Sequence, residues 1–142
     1  MTIDRVKELY DDYLFDMNLS DEQRSLRGAF GRLVFGSGGQ DGCNIRFAEK
    51  MEKALAGFDF EREDPEELMD FVLCKGAEYK NNRFVALMMT AMQRFLIPFT
   101  EHISSEKAAA ILRWYDTVFD KTDMTPVMKD FKKALRRKAK KD

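Results

Sequence analysis

Residues 64–79 read DPEELMDFVLCKGAEY and carry the clearest helix-start signal in the chain. Asp64 is suited to cap a helix, because its carboxylate accepts a hydrogen bond from a free amide of the first turn. Pro65 fits the first helical position, where its missing N–H would have no partner in any case. Glu66 and Glu67 place negative charge at the positive end of the helix dipole. The sequence therefore predicts a helix from Pro65 to about Tyr79.

The same helical period extends outward from this segment in both directions. Apolar residues recur at steps of three and four almost everywhere, and no stretch alternates with a period of two. Before it, helices are predicted over Ile3 to about Asn18, from a Ser20–Gln23 capping box to Gly36, and over about Cys43 to Ala56. After it, helices are predicted over about Asn82 to His102 with a kink or end at Pro98, from Ser104 or Ser105 to Phe119, and from Thr125–Pro126 to about 140.

These elements predict an all-α fold. We expect one compact domain over residues 1–142, with six or seven helices packed as a bundle or orthogonally. Among the residues expected to face the core are Ile45, Met51 and Leu55 of the third helix, and Cys74 of the helix after Pro65.

Composition narrows the class of protein. The chain has 142 residues, of which 44% are apolar and 35% charged, so it is long and apolar enough to fold around a core of its own. Its first residues are charged where a secretion signal needs an apolar core, and its longest apolar run, Phe84 to Met92, is too short to span a membrane. Cys43 and Cys74 belong to no paired-cysteine motif, and the chain contains a single histidine. We expect a cytoplasmic location with free thiols, no metal, no cofactor and no membrane.

The sequence contains no recognisable catalytic constellation. A single histidine excludes motifs that pair two histidines on one metal, and Phe35 stands where the serine elbow around Ser37 would need glycine. His102 is better explained as a cation in the last turn of a helix than as a general base.

A glycine-rich loop, residues 36–42, offers an anion site as an alternative. Glycine-rich backbone ahead of a helix can direct several amides at one oxyanion, and the helix dipole adds to the attraction. The residues of this candidate site, for an anion-binding protein or an enzyme, are Gly38, Gly39, Gly42, Cys43, Arg32 and Arg46. Asp41 opposes it, because its carboxylate would cap the helix and repel an anion.

The C-terminal helix, at about 126–140, is strongly basic. Residues 129–142 hold eight basic and two acidic side chains, whereas the rest of the chain holds sixteen and twenty-three. On a helical wheel the cations share one arc, opposite an apolar stripe. They are Lys129, Lys132, Lys133, Arg136, Arg137 and Lys140. Such a stripe is suited to a phosphate backbone or to an acidic partner surface, although no aromatic residue lies among the cations to stack on bases.

The apolar start of the helix predicted over 82–102 suggests self-association. Its apolar residues point in every direction, which is typical of a helix surrounded by neighbours or by a second subunit. The candidate seam consists of Phe84, Met88, Met89 and Met92. The sequence thus favours a non-catalytic protein-interaction or scaffold domain that binds a protein partner or forms a homodimer, with nucleic-acid binding through the basic helix as the alternative.

Overall fold

The computed structural model of the protein describes residues 1–17 and 39–140, with the backbone alone for 39–41. Within these residues all regular structure is helical. The α-helices are α1 (Thr2–Asp16), α2 (Gly39–Ala56), α3 (Pro65–Glu78), α4 (Ala86–Ala91), α5 (Ser105–Val118) and α6 (Pro126–Ala139). Three 3₁₀ helices span Met92–Leu96, Pro98–His102 and Lys121–Asp123. The all-α prediction is confirmed, and the helix predicted after Ser20 lies outside the described residues.

The chain divides into two compact units. We call Met1–Asp59 the N-terminal unit and Phe60–Asp142 the C-terminal unit. Each has buried apolar side chains of its own, with Val6 and Met51 in the first and Leu68 and Phe131 in the second. The arrangement of the chain as a single domain stays a prediction.

In the N-terminal unit, α1 packs against α2 through aromatic rings. The rings of Tyr13 and Phe47 stack with centroids 4.4 Å apart, and Tyr10 meets Phe47 edge-on at 5.0 Å. The Tyr13 hydroxyl also donates to Oδ1 of Asn44 at 2.5 Å. The face of α2 that meets α1 therefore passes through Phe47 and Met51. Ile45 lies off this face and is 58% exposed, so its prediction as a core residue is wrong.

Side-chain caps begin three helices of the C-terminal unit where the sequence predicts them. Asp64 Oδ1 accepts from the Glu66 amide at 2.9 Å, and Ser104 Oγ accepts from the Lys107 amide at 3.0 Å. Thr125 Oγ1 accepts from the Met128 amide at 3.3 Å, with Pro126 at the first helical position of α6. Each cap satisfies an amide that has no carbonyl partner within its helix.

Removing the Thr125 cap should destabilise the C-terminal unit. We expect Thr125→Ala to lower the free energy of unfolding by about 1 kcal/mol, because a first-turn amide of α6 loses its acceptor. Urea denaturation followed by the fluorescence of Trp114, the only tryptophan, measures this unit. Thr122→Ala, at an exposed position just before α6, is the control. Equal losses in the two variants would contradict the assignment of the cap.

The segment predicted as one helix over 82–102 is broken. Asn82 Oδ1 accepts from the amides of Phe84 and Val85 at its start. The α-helix then covers only Ala86–Ala91 and gives way to 3₁₀ turns, before Pro98 is reached. Near the change, the Thr90 hydroxyl donates to the carbonyls of Ala86 and Leu87, an arrangement that often bends helices. The prediction of a helix that runs from about Asn82 to a kink or end at Pro98 is therefore wrong, because the α-helix ends at Ala91.

The core of the C-terminal unit combines aromatic rings, methionines and one buried polar pair. Phe131 of α6 lies beside Tyr115 of α5, with ring centroids 6.1 Å apart. The Tyr115 hydroxyl donates to Oε1 of Gln93 at 2.6 Å, and both side chains are buried. The buried methionines of this unit are Met69, Met89, Met92 and Met128. The contact between Phe131 and Tyr115 joins α6 to α5 and so holds the outer side of α6 in place.

Candidate functional site

The outer side of α6 presents a row of cations. The buried residues of the helix are Met128, Phe131, Ala134 and Leu135. At 3.6 residues per turn, five exposed cations share an arc of about 100° on the opposite side and extend about 17 Å along the axis. We call these five residues the basic face: Lys129, Lys133, Arg136, Arg137 and Lys140. Among the residues that the structure describes, none of the five has a hydrogen-bonding or ion-pair partner for its side chain.

Lys132, the sixth predicted cation, does not belong to this face. Its side chain is 13% exposed, and its Nζ lies 2.5 Å from Oδ1 of Asp116 on α5 and 5.8 Å from the centre of the Tyr115 ring. The hydrogen bond from Lys132 lowers the pKa of the Asp116 carboxyl, and the charges of Arg136 and Lys121 act in the same direction. Lys132 therefore joins α6 to α5 within the unit, and the other five cations remain exposed.

The residues predicted to form a self-association seam do not share one surface. Met89 and Met92 are buried in the core of the C-terminal unit. Met88 is half-buried and Phe84 is 37% exposed, with the Arg83 guanidinium 4.8 Å from the centre of its ring. The apolar excess of this segment is thus largely explained by the chain's own core, and a seam that includes Met89 and Met92 does not fit the structure.

The predicted anion site is only partly described. Arg32 and Gly38 lie outside the described residues, whereas Gly39 begins α2. Because α2 starts four residues before the predicted start, the amide of Cys43 lies in the body of the helix, where an amide donates to the carbonyl four residues earlier. Cys43 and Arg46 do meet, with Nη2 of Arg46 3.4 Å from the cysteine Sγ. The Cys43 amide thus lies within α2 and not ahead of it, and the anion site stays a prediction.

A groove that the sequence did not predict lies between α3 and α5. It is open to solvent, has a volume of about 220 Å³ and is lined by Asp70, Leu73, Cys74, Lys107, Ala110, Ile111 and Trp114. Nζ of Lys107 is 2.9 Å from Asp70 Oδ1, so both charges are paired. Cys74 is exposed, and its prediction as a core residue is wrong. A helical wheel could have shown this, since Cys74 points away from the stripe of Leu68, Val72 and Gly76.

His102 lies in an aromatic stack. Its ring lies 3.7 Å from that of Phe60, with the two planes 19° apart, and Phe60 in turn meets Phe99. Across residues 1–17 and 39–140, no group of three acidic, cysteine or histidine side chains is arranged to hold a metal ion. None of the helices in those ranges is both long and apolar enough to cross a membrane.

A comparison with known protein families, curated proteins and solved structures finds no match to this chain. The basic face concentrates exposed charge of one sign on a helix whose other side is fixed in a packed core. Its chemistry is the attraction of an extended anionic surface.

Proposed function

We propose that this chain is a non-catalytic protein-interaction domain whose basic face binds an acidic surface of a protein partner. The observation that carries the proposal is the row of five exposed cations, whose side chains have no hydrogen bond or ion pair in the described part of the chain. Charges in such a row attract a complementary surface over longer distances than isolated charges do, and they fix the orientation of the bound partner.

The packing of α6 supports a preformed site. The apolar side of the helix is buried against α5 and the 3₁₀ segment Met92–Leu96, and Lys132 adds an ion pair to Asp116. A helix held in this way presents its outer side chains from a fixed backbone, so little backbone ordering is needed when a partner binds.

Two features favour a protein partner over nucleic acid. No aromatic side chain lies among the basic positions to stack on bases. The whole chain has a net charge of −1, whereas domains that bind nucleic acid through charge are usually strongly basic. We place the partner in the cytoplasm, where the free thiols of Cys43 and Cys74 would persist.

Reversing charge on the basic face should weaken binding to an acidic polypeptide. We expect the full chain to bind fluorescent poly-glutamate at low salt, and Arg136→Glu with Arg137→Glu to weaken this binding at least about tenfold, since two attractions become repulsions. Fluorescence anisotropy measures both affinities. The matched control reverses two exposed cations elsewhere, Lys53→Glu with Arg113→Glu, and should bind nearly as the unaltered chain does.

The same assay with oligonucleotides decides between the two classes of partner. If the chain binds RNA or DNA more tightly than poly-glutamate, with an affinity that falls steeply with salt, then the partner is a nucleic acid and not a protein. Equal loss of binding in the control variant would show that net charge alone is responsible, and would overturn the proposal.

A further inference from the structure

The exposed side of α1 carries a row of carboxylates. Asp4, Glu8, Asp11 and Asp12 are all exposed, and they share an arc of about 100° opposite the buried stripe of Val6 and Tyr13. Asp4 lies 3.8 Å from the amino group of Met1, and Glu8 lies 3.2 Å from Arg5, both at the surface. We call these four residues the acidic face. Exposed pairs of this kind are weak, so these carboxylates stay open to a partner.

The acidic face and the basic face have the same spacing. The carboxylates occupy positions i, i+4, i+7 and i+8 of α1, at residues 4, 8, 11 and 12. The cations of α6 occupy the same positions, at residues 129, 133, 136 and 137, with Lys140 as a fifth at i+11. The position of α1 that corresponds to Lys140 holds Phe15, which is exposed. Each helix therefore offers four charges of one sign in the same geometric pattern.

The net charges of the two units have the signs that this pattern requires, negative for the N-terminal unit and positive for the C-terminal unit. The N-terminal unit contains eight basic and eleven acidic residues, whereas the C-terminal unit contains sixteen and fourteen. Opposite charge on two matched helical faces favours encounter between them and opposes the contact of either face with its own kind.

We propose that the acidic partner of the basic face is the acidic face of a second copy of this chain. This inference rests on the function proposed above, and it names the partner. Every copy carries one acidic and one basic helix face, so the contact joins unlike surfaces of two identical chains. It closes into a ring if both contacts form between the same copies, and it extends into a chain of copies if they do not.

Such a contact is held mainly by exposed charges, so it should be weak and sensitive to salt. The Debye length falls from about 30 Å at 10 mM salt to about 3 Å at 1 M, which screens the attraction between the two faces. We expect the sedimentation coefficient of the full chain to rise with concentration between about 10 and 500 µM at 10 mM salt, and to stay at the monomer value at 1 M.

A charge-swap experiment tests the proposal. Glu8→Lys with Asp11→Lys leaves the acidic face with two carboxylates and two cations, and Lys133→Glu with Arg136→Glu leaves the basic face with two carboxylates and three cations. Each variant alone should lose self-association at least about tenfold, because two attractions between the faces become repulsions. An equimolar mixture should regain it, because the unaltered face of each variant matches a face of the other.

Matched controls separate the two faces from net charge. Glu49→Lys with Glu52→Lys and Lys53→Glu with Arg113→Glu make the same changes in charge at exposed positions elsewhere, and both should associate as the unaltered chain does. Circular dichroism of each variant shows that its helices form, and a variant that does not fold is replaced by Glu8→Gln with Asp11→Asn or by Lys133→Gln with Arg136→Gln.

The outcomes distinguish this inference from the function on which it rests. A chain that binds poly-glutamate through the basic face but stays monomeric up to 500 µM at 10 mM salt keeps the proposed function and overturns the second copy as partner. Failure to bind poly-glutamate as well overturns both. Self-association that persists in either variant alone, or a mixture that stays monomeric, also overturns the pairing of the two faces.

Discussion

Phe131→Ala should lower the free energy of unfolding of the C-terminal unit by about 3–5 kcal/mol. The Phe131 side chain is fully buried on the inner side of α6, and its ring lies next to that of Tyr115. Alanine would remove the buried apolar area and leave a cavity between α5 and α6, which neighbouring side chains fill only in part. A loss of this size is a large part of the stability of an ordinary domain.

Urea denaturation with Trp114 fluorescence measures the effect, since Trp114 lies in the same unit. Leu87→Ala is the control, because the Leu87 side chain is 71% exposed and its removal should change the free energy by less than about 0.5 kcal/mol. Should Phe131→Ala cost no more than Leu87→Ala, the packing of α6 described above is wrong.

Alkaline pH should destabilise both units above about pH 10. Burial raises the pKa of Tyr10, Tyr13 and Tyr115 above the ordinary tyrosine value near 10. For Tyr115 the hydrogen bond to Gln93 acts in the opposite direction and is the smaller effect. Below pH 10 these hydroxyls are neutral in both states, so their contribution to stability is fully present. As the pH rises further, the unfolded chain ionises first, and stability falls by about 1.4 kcal/mol per pH unit for each tyrosine.

This slope is obtained from the free energy of unfolding of the C-terminal unit, measured by Trp114 fluorescence between pH 8 and 11.5. Tyr115→Phe is the informative variant, because it cannot ionise. It should be less stable than the unaltered chain at pH 8, where Gln93 Oε1 loses its buried donor, and its stability should fall less steeply above pH 10. If stability falls equally steeply with pH in Tyr115→Phe and in the unaltered chain, Tyr115 ionises while the protein is still folded.

The sequence was sufficient for features that depend on a few neighbouring residues. The caps at Asp64, Ser104 and Thr125 follow from local hydrogen bonding, which short-range patterns contain. The buried stripe of α6 also follows from period alone, since apolar and basic residues separate clearly on that helix. Five of the six cations predicted on this helix are exposed, and their role in binding stays a prediction.

The errors lie where the outcome depends on tertiary contacts. Lys132 is turned inward by Asp116, which lies on a different helix, α5, and sixteen residues earlier in the chain, and no local pattern shows that pairing. The helix predicted over 82–102 is apolar on every side, so its period gave no information on where the helix ends or which residues face the core. The spacing of the α1 carboxylates was visible in the sequence, but their exposure was not.

The distribution of the methionines determines how this protein responds to oxidants. Met51, Met69, Met89, Met92 and Met128 are buried, whereas Met1 is 73% exposed. Oxidation of the thioether to the sulfoxide requires access, and it turns an apolar core residue into a polar one. Peroxide should therefore reach the five buried sulfur atoms only when the surrounding helices open. Sulfoxide at these positions would block correct repacking, so transient opening under oxidative conditions would become lasting damage.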